Sequence, residues 1–148
     1  MYHHILISTD GSDLATKGLD HGLTLARALN ARVTILTVTE HYPSYIASGG
    51  EVWVAAEMSG EIRAARDQAA ATILNAAAEA AAKMGVPAEL VHIPDSAPAE
   101  AIIATAKERD CSLICMSSHG RRGLERLLLG SQTAEVLAHS PVPVLVVR

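Results

Sequence analysis

The sequence predicts a doubly wound α/β domain, a parallel sheet with helices on both faces. Short β-branched apolar runs alternate strictly with longer segments whose apolar residues fall three and four apart, the spacings of strands and helices. The runs are apolar almost throughout rather than on every second residue, as strands covered on both faces require. A length of 148 residues, 49% hydrophobic and 19% charged, suits one domain, 1–148, burying about two-thirds of the surface of its unfolded chain.

The elements follow in order. Ile5-Leu6-Ile7-Ser8-Thr9 reads as the first strand and runs into Asp10-Gly11-Ser12-Asp13, turn and capping residues ahead of a helix over 14–29. Residues 33–38 read as the second strand. From 40 to 60 periodicity fades and Pro43, Gly49 and Gly50 appear, so a long loop is expected there, either a lid carrying Tyr42, Tyr45 and Trp53 or a plain connection. An alanine-rich helix over 62–84 stops at Gly85-Val86-Pro87, a C-cap glycine followed by proline. A strand at 88–93, a helix over 98–109, a strand at 113–116, a helix over 131–138 and a strand at 142–147 complete the alternation.

Composition narrows the function. A net charge of −4, a pI near 5.9, three tyrosines, one tryptophan and no phenylalanine provide neither the basic field nor the stacking surfaces of a nucleic-acid binder. No signal peptide and no run of about 18 apolar residues is present, so a cytoplasmic protein without a membrane span is expected. Cys111 and Cys115 sit four apart in one apolar run, where a strand turns both to one face, too far apart to bridge; reduced, buried thiols are expected. His3, His4, His21, His41, His92 and His139 are scattered without metal-ligand spacing, and no protein-held metal is expected.

Two places carry candidate chemistry. Asp10 ends the first strand, where its carboxylate either accepts from a ligand or serves the local turn. After the fourth strand, Ser117 to Thr133 forms a glycine-rich stretch in which Gly130-Ser131 opens a helix. Its first-turn amides and dipole favour anions, Ser131 adds a hydroxyl, Gln132 and Thr133 add main-chain donors, and Arg121, Arg122 and Arg126 bring positive charge. Phosphate binding and simple capping both fit. Neither a G-x-x-x-x-G-K-[ST] loop nor a G-x-G-x-x-G after the first strand is present, and the acidic pair and lysine of a phospho-receiver are missing.

These residues resemble the universal stress protein family, whose nucleotide-binding members carry G-x2-G-x9-G-[ST] after the fourth strand. Here the pattern reads Ser117-x2-Gly120-x9-Gly130-Ser131, with Ser117 replacing the first glycine, and the likeness extends from Thr9-Asp10-Gly11-Ser12 to Pro141-Val142-Pro143-Val144-Leu145-Val146-Val147. The resemblance implies a five-stranded Rossmann-like sheet of order 3-2-1-4-5 with ATP bound where the order reverses; ADP and AMP are the alternative ligands, and Mg2+ is the ion expected to accompany the phosphates of ATP. It places Asp10 and the backbone of Val38 at adenine, Ser117 at ribose, and Gly120, Gly130, Ser131 and Gln132 at the phosphates. Ser8, Thr9, Met116 and Arg121 complete the expected nucleotide-binding set. It also implies a homodimer paired through the last strand, by Val142, Val144, Leu145, Val146 and Val147.

No set of groups for in-line phosphoryl transfer is assembled in the sequence, and His119 alone beside the turn does not make one. The expectation is therefore a nucleotide-binding stress or regulatory protein with an unidentified protein partner and at most slow ATP hydrolysis. The alternative is a dimeric interaction module of the same fold that holds no nucleotide.

Overall fold

The computed structural model describes residues 1–41, 52–120 and 128–148, the side chains of 52–59 excepted. Its elements run β1 (His4–Ser8), α1 (Asp13–Leu29), β2 (Arg32–Val38), α2 (Val52–Lys83), β3 (Ala88–Ile93), α3 (Pro98–Glu108), β4 (Leu113–Ser117), α4 (Ser131–His139) and β5 (Val144–Val147). The strands form one parallel sheet in the order β3-β2-β1-β4-β5, as expected.

Alternation along each strand divides the core into two layers. Ile5 and Ile7 of β1, Val33 and Ile35 of β2, and Leu113 and Cys115 of β4 pack with Leu19, Leu23 and Ala26 of α1 and Leu74, Ala77 and Ala81 of α2. Leu6, Leu36, Ile114 and Met116 turn the other way, onto Ala99, Ile102 and Ala106 of α3 and Val136 of α4. Each such large aliphatic side chain, once buried, contributes about 1.5–3 kcal/mol. Backbone turns then end the helices: Asn30, at φ 53°, donates to the Ala26 and Arg27 carbonyls after α1, and Gly85, at φ 69°, closes α2.

Three sequence readings change. The long connection expected over 40–60 ends sooner, because α2 already begins at Val52. Ala55, Ala56, Glu57 and Met58 are strong helix formers, and continuity with the rest of α2 extends the helix where no apolar stripe announces it. Trp53 thus stands on a helix, while Tyr42 and Tyr45 lie outside the described residues. The last strand is shorter than 142–147: the Ser140 hydroxyl donates to the Val142 carbonyl at 2.6 Å and accepts from its N–H, and Pro143 has no N–H for the ladder. The two cysteines are free and buried as expected but do not share a face. Cys111 lies before β4 begins and joins the α3 layer, whereas Cys115 joins the α1 layer. Burial pushes both thiols up to about 11, so they stay protonated.

A buried histidine anchors the amino end of the sheet. The neutral His4 ring donates from Nδ1 to the Arg109 carbonyl at 3.0 Å and accepts at Nε2 from the Thr34 hydroxyl at 2.9 Å. Burial foremost, then the nearby Arg32 charge, lowers its pKa.

Candidate functional site

The strand order reverses between β1 and β4, and two turns leave their carboxyl ends side by side. In open parallel sheets this is the crevice that receives ligands. After β1, the Thr9 N–H continues the pairing by donating to Leu36, and the Thr9 hydroxyl accepts from Gly11. Asp10 then folds back: its Oδ1 accepts from the Ser12 N–H at 3.0 Å. The Ser12 hydroxyl accepts from the Ala15 N–H and caps α1. Asp10 thus serves the local turn with one oxygen, and its second oxygen faces the other turn. A Cβ on Gly120 would stand 2.8 Å from Asp10 Oδ2, so the absence of a side chain at Gly120 lets the carboxylate occupy that position.

The turn after β4 is held at both of its ends. Ser118 donates its N–H to the Val147 carbonyl, and its own carbonyl accepts from the Gly130 N–H at 2.8 Å. The Ser117 hydroxyl donates to the His119 carbonyl at 2.7 Å, and the Thr133 hydroxyl donates to the Ser117 carbonyl at 3.0 Å. Gly130 packs so closely on this turn that a Cβ would lie 3.2 Å from the Ser118 oxygen. It opens α4 in an extended conformation and has no side chain to cap the helix. The amides of Ser131, Gln132 and Thr133 therefore begin α4 beyond the reach of any helical carbonyl or N-cap side chain.

The structure brings Ser8, Thr9, Asp10, Val38, Met116, Ser117, Gly120, Gly130 and Ser131 to this one edge, at the ends of β1, β2 and β4 and the start of α4. Two of them do not present side chains to the crevice. Met116 is buried in the α3 layer, and Val38 packs partly against that layer. Gln132 turns its side chain to α3, where Oε1 accepts from the Ala99 N–H at 2.9 Å. Arg121, Arg122 and Arg126 lie outside the described residues. The Ser117 hydroxyl, standing where the family pattern has glycine, is folded into its own turn.

Sequence reasoning missed two contributors here. Thr133, expected to offer a main-chain donor, uses its hydroxyl to hold the end of β4. Gly18 of α1 lies against the end of β4, with the Ser117 N–H nitrogen 3.4 Å from where a Cβ would be. A glycine in the middle of a helix that is otherwise well formed was the available signal for such a close approach.

The universal stress protein family matches residues 1–148. The chain is 37% identical over 149 residues to the universal stress protein YxiE of Bacillus subtilis (strain 168), covering all of both chains. Among solved structures it is similar to the hypothetical protein MJ0577, with a TM-score of 0.79 at 27% identity over 99% of this chain and 96% of that one. It is also similar to a universal stress protein in complex with cAMP, with a TM-score of 0.69 at 26% identity over 99% of this chain and 97% of that one.

Proposed function

The chain belongs to the universal stress protein family, and on that premise we propose that it is a regulatory protein that binds an adenine nucleotide between β1 and β4. The observation that carries this reading is the start of α4: a helix end with no capping side chain among the described residues, set in the crevice where the sheet order reverses. A relative that binds cAMP supports adenine nucleotides as the ligand class. ATP, ADP or AMP would lay its phosphates on the amides of Ser131, Gln132 and Thr133 with Gly120 and Gly130 alongside, and its adenosine toward Asp10, Ser8, Thr9, Val38, Met116 and Ser117. Arg121 would add charge, and Mg2+ would travel with the phosphates of ATP. Such a protein turns ATP over slowly at most. It is a cytoplasmic homodimer joined through β5, with Val142, Val144, Leu145, Val146 and Val147 at or beside the join, and it acts on a protein partner. An edge position and a partly exposed Leu145 support the pairing.

Calorimetric titration of ATP with Mg2+ into the chain and into Gly130→Val, with sedimentation of both, tests this reading. Saturable heat in the native chain that disappears in a still dimeric variant is the expected result; no heat in the native chain contradicts it.

A second reading rests on one observation. The Gly130 N–H, the Ser117 hydroxyl and the Gln132 amide oxygen are already engaged within the fold, as they would be in an interaction module that holds no nucleotide. That reading predicts a dimer with no heat of ATP binding.

A further inference from the structure

α3 begins without a cap of its own. Its N-cap residue is Ala97, which has no side-chain acceptor, and Pro98 behind it has no N–H. Ala99 is therefore the first residue of the helix with an amide in need of a partner, and at 2% exposure it is shut away from water. The partner comes from 33 residues further along the chain, in the Gln132 oxygen at 2.9 Å. An N–H requires an acceptor, so this bond also fixes which end of the Gln132 amide faces α3. Gln132 stands in the first turn of α4, between Ser131 and Thr133, whose hydroxyl is bound to the end of β4. Two hydrogen bonds, joined through the backbone of adjacent residues in the first turn of α4, thus tie the end of β4 to the first turn of α3.

We infer that Gln132 is a positioning residue that couples the start of α4 to α3, so that a ligand ordering the α4 amides also firms the start of α3. The inference rests on the nucleotide reading above and adds its route of regulation. The surface that responds is the turn between β3 and α3. Asp95 there lies 3.7 Å from His41 and 3.8 Å from Arg63, and the Ser96 N–H donates to the Thr39 carbonyl. That turn is thereby joined to the end of β2 and to α2.

Backbone amide exchange on the whole chain, with and without ATP and Mg2+, in the native protein, Gln132→Leu and Gln132→Glu, tests the coupling. In the free chain, Gln132→Leu should speed exchange at Ala99 about fivefold, the effect of losing a helix cap, whereas Gln132→Glu keeps an acceptor and keeps the native rate. With ATP at a concentration that saturates each protein, residues 131–134 should slow in the native protein and in Gln132→Leu, which keeps the main-chain amide at 132 and changes only the side chain turned to α3, and residues 99–101 should slow in the native protein alone. An Ala99 rate unchanged in Gln132→Leu overturns the cap. Native protection at 131–134 without protection at 99–101, or equal protection of 99–101 in Gln132→Leu, overturns the coupling and leaves the nucleotide reading standing. No protection at 131–134 in the native protein overturns both, and the free-chain rates still decide the cap.

Discussion

Two helices begin near one another at the carboxyl edge of the sheet, one after β1 and one after the glycine-rich turn that leaves β4, and they treat their first-turn amides in opposite ways. At α1 the local sequence does everything: Asp10 accepts from Ser12, Ser12 accepts from Ala15, and Asp13 adds a negative charge beside the positive end of the dipole. At α4 the N-cap is a glycine, and the side chains of Ser117, Thr133 and Gln132 are used elsewhere. Ser117 closes its own turn, Thr133 reaches back to β4, and Gln132 reaches across to α3. The difference teaches where an outside acceptor fits. A helix start that its own chain has capped offers little to an anion, and one whose polar neighbours face away offers its amides.

The largest expected break in this comparison comes from Gly130→Val. Its Cβ would meet the Ser118 oxygen at 3.2 Å, and the branched side chain adds further bulk. We expect a stability loss of about 1–3 kcal/mol by urea unfolding, together with loss of ATP binding. Gly120→Ala should act on affinity more than on folding, because the atom it meets is the end of a side chain, Asp10 Oδ2, rather than backbone. ATP affinity should fall about tenfold, or about 1.4 kcal/mol, by calorimetry, with a smaller change in the urea midpoint. Ser12→Ala sharpens the contrast from the closed side: about 1 kcal/mol of stability should be lost with the cap, while ATP affinity stays within about twofold.

The gentlest effect belongs to the far end of the sheet. Because the folded protein lowers the pKa of His4, protonation is easier in the unfolded chain. The contribution of the neutral ring is fully present above the ordinary value of 6.5 and declines as pH falls through it toward the folded value. Urea midpoints at pH 7.5 and pH 5 should therefore differ more in the native protein than in His4→Gln.

How much of this was legible in the sequence depends on the range of the interaction. The strands could be read because their apolar runs are local, and the starts of α1 and α4 because the N-cap residues Ser12 and Gly130 sit directly before them. The strand order and the placing of Val38 and Ser117 at the nucleotide came from the family resemblance, whereas Asp10 and Gly130-Ser131 stood out from the sequence itself. The first turns of α2 gave little signal, since Val52 to Gly60 carry helix formers without an apolar stripe. Two polar side chains acquired their roles only through folding. His4 looked like one of several scattered histidines until β2 and the end of α3 enclosed it, and Gln132 looked like a member of the phosphate turn until α3 arrived lacking a cap. Pairs 30 or more residues apart leave no mark in a local pattern.

The central claim, that the start of α4 holds an anion, is tested most directly by Ser131→Asp. A carboxylate in the first turn complements the helix dipole, so urea unfolding should show stability unchanged or raised by about 0.3–1 kcal/mol. The same charge repels phosphate. Calorimetric titration with ATP and Mg2+ should show affinity lowered at least about tenfold, about 1.4 kcal/mol, in a protein that is no less stable. Equal affinity in Ser131→Asp and the native chain would contradict a nucleotide phosphate at this helix.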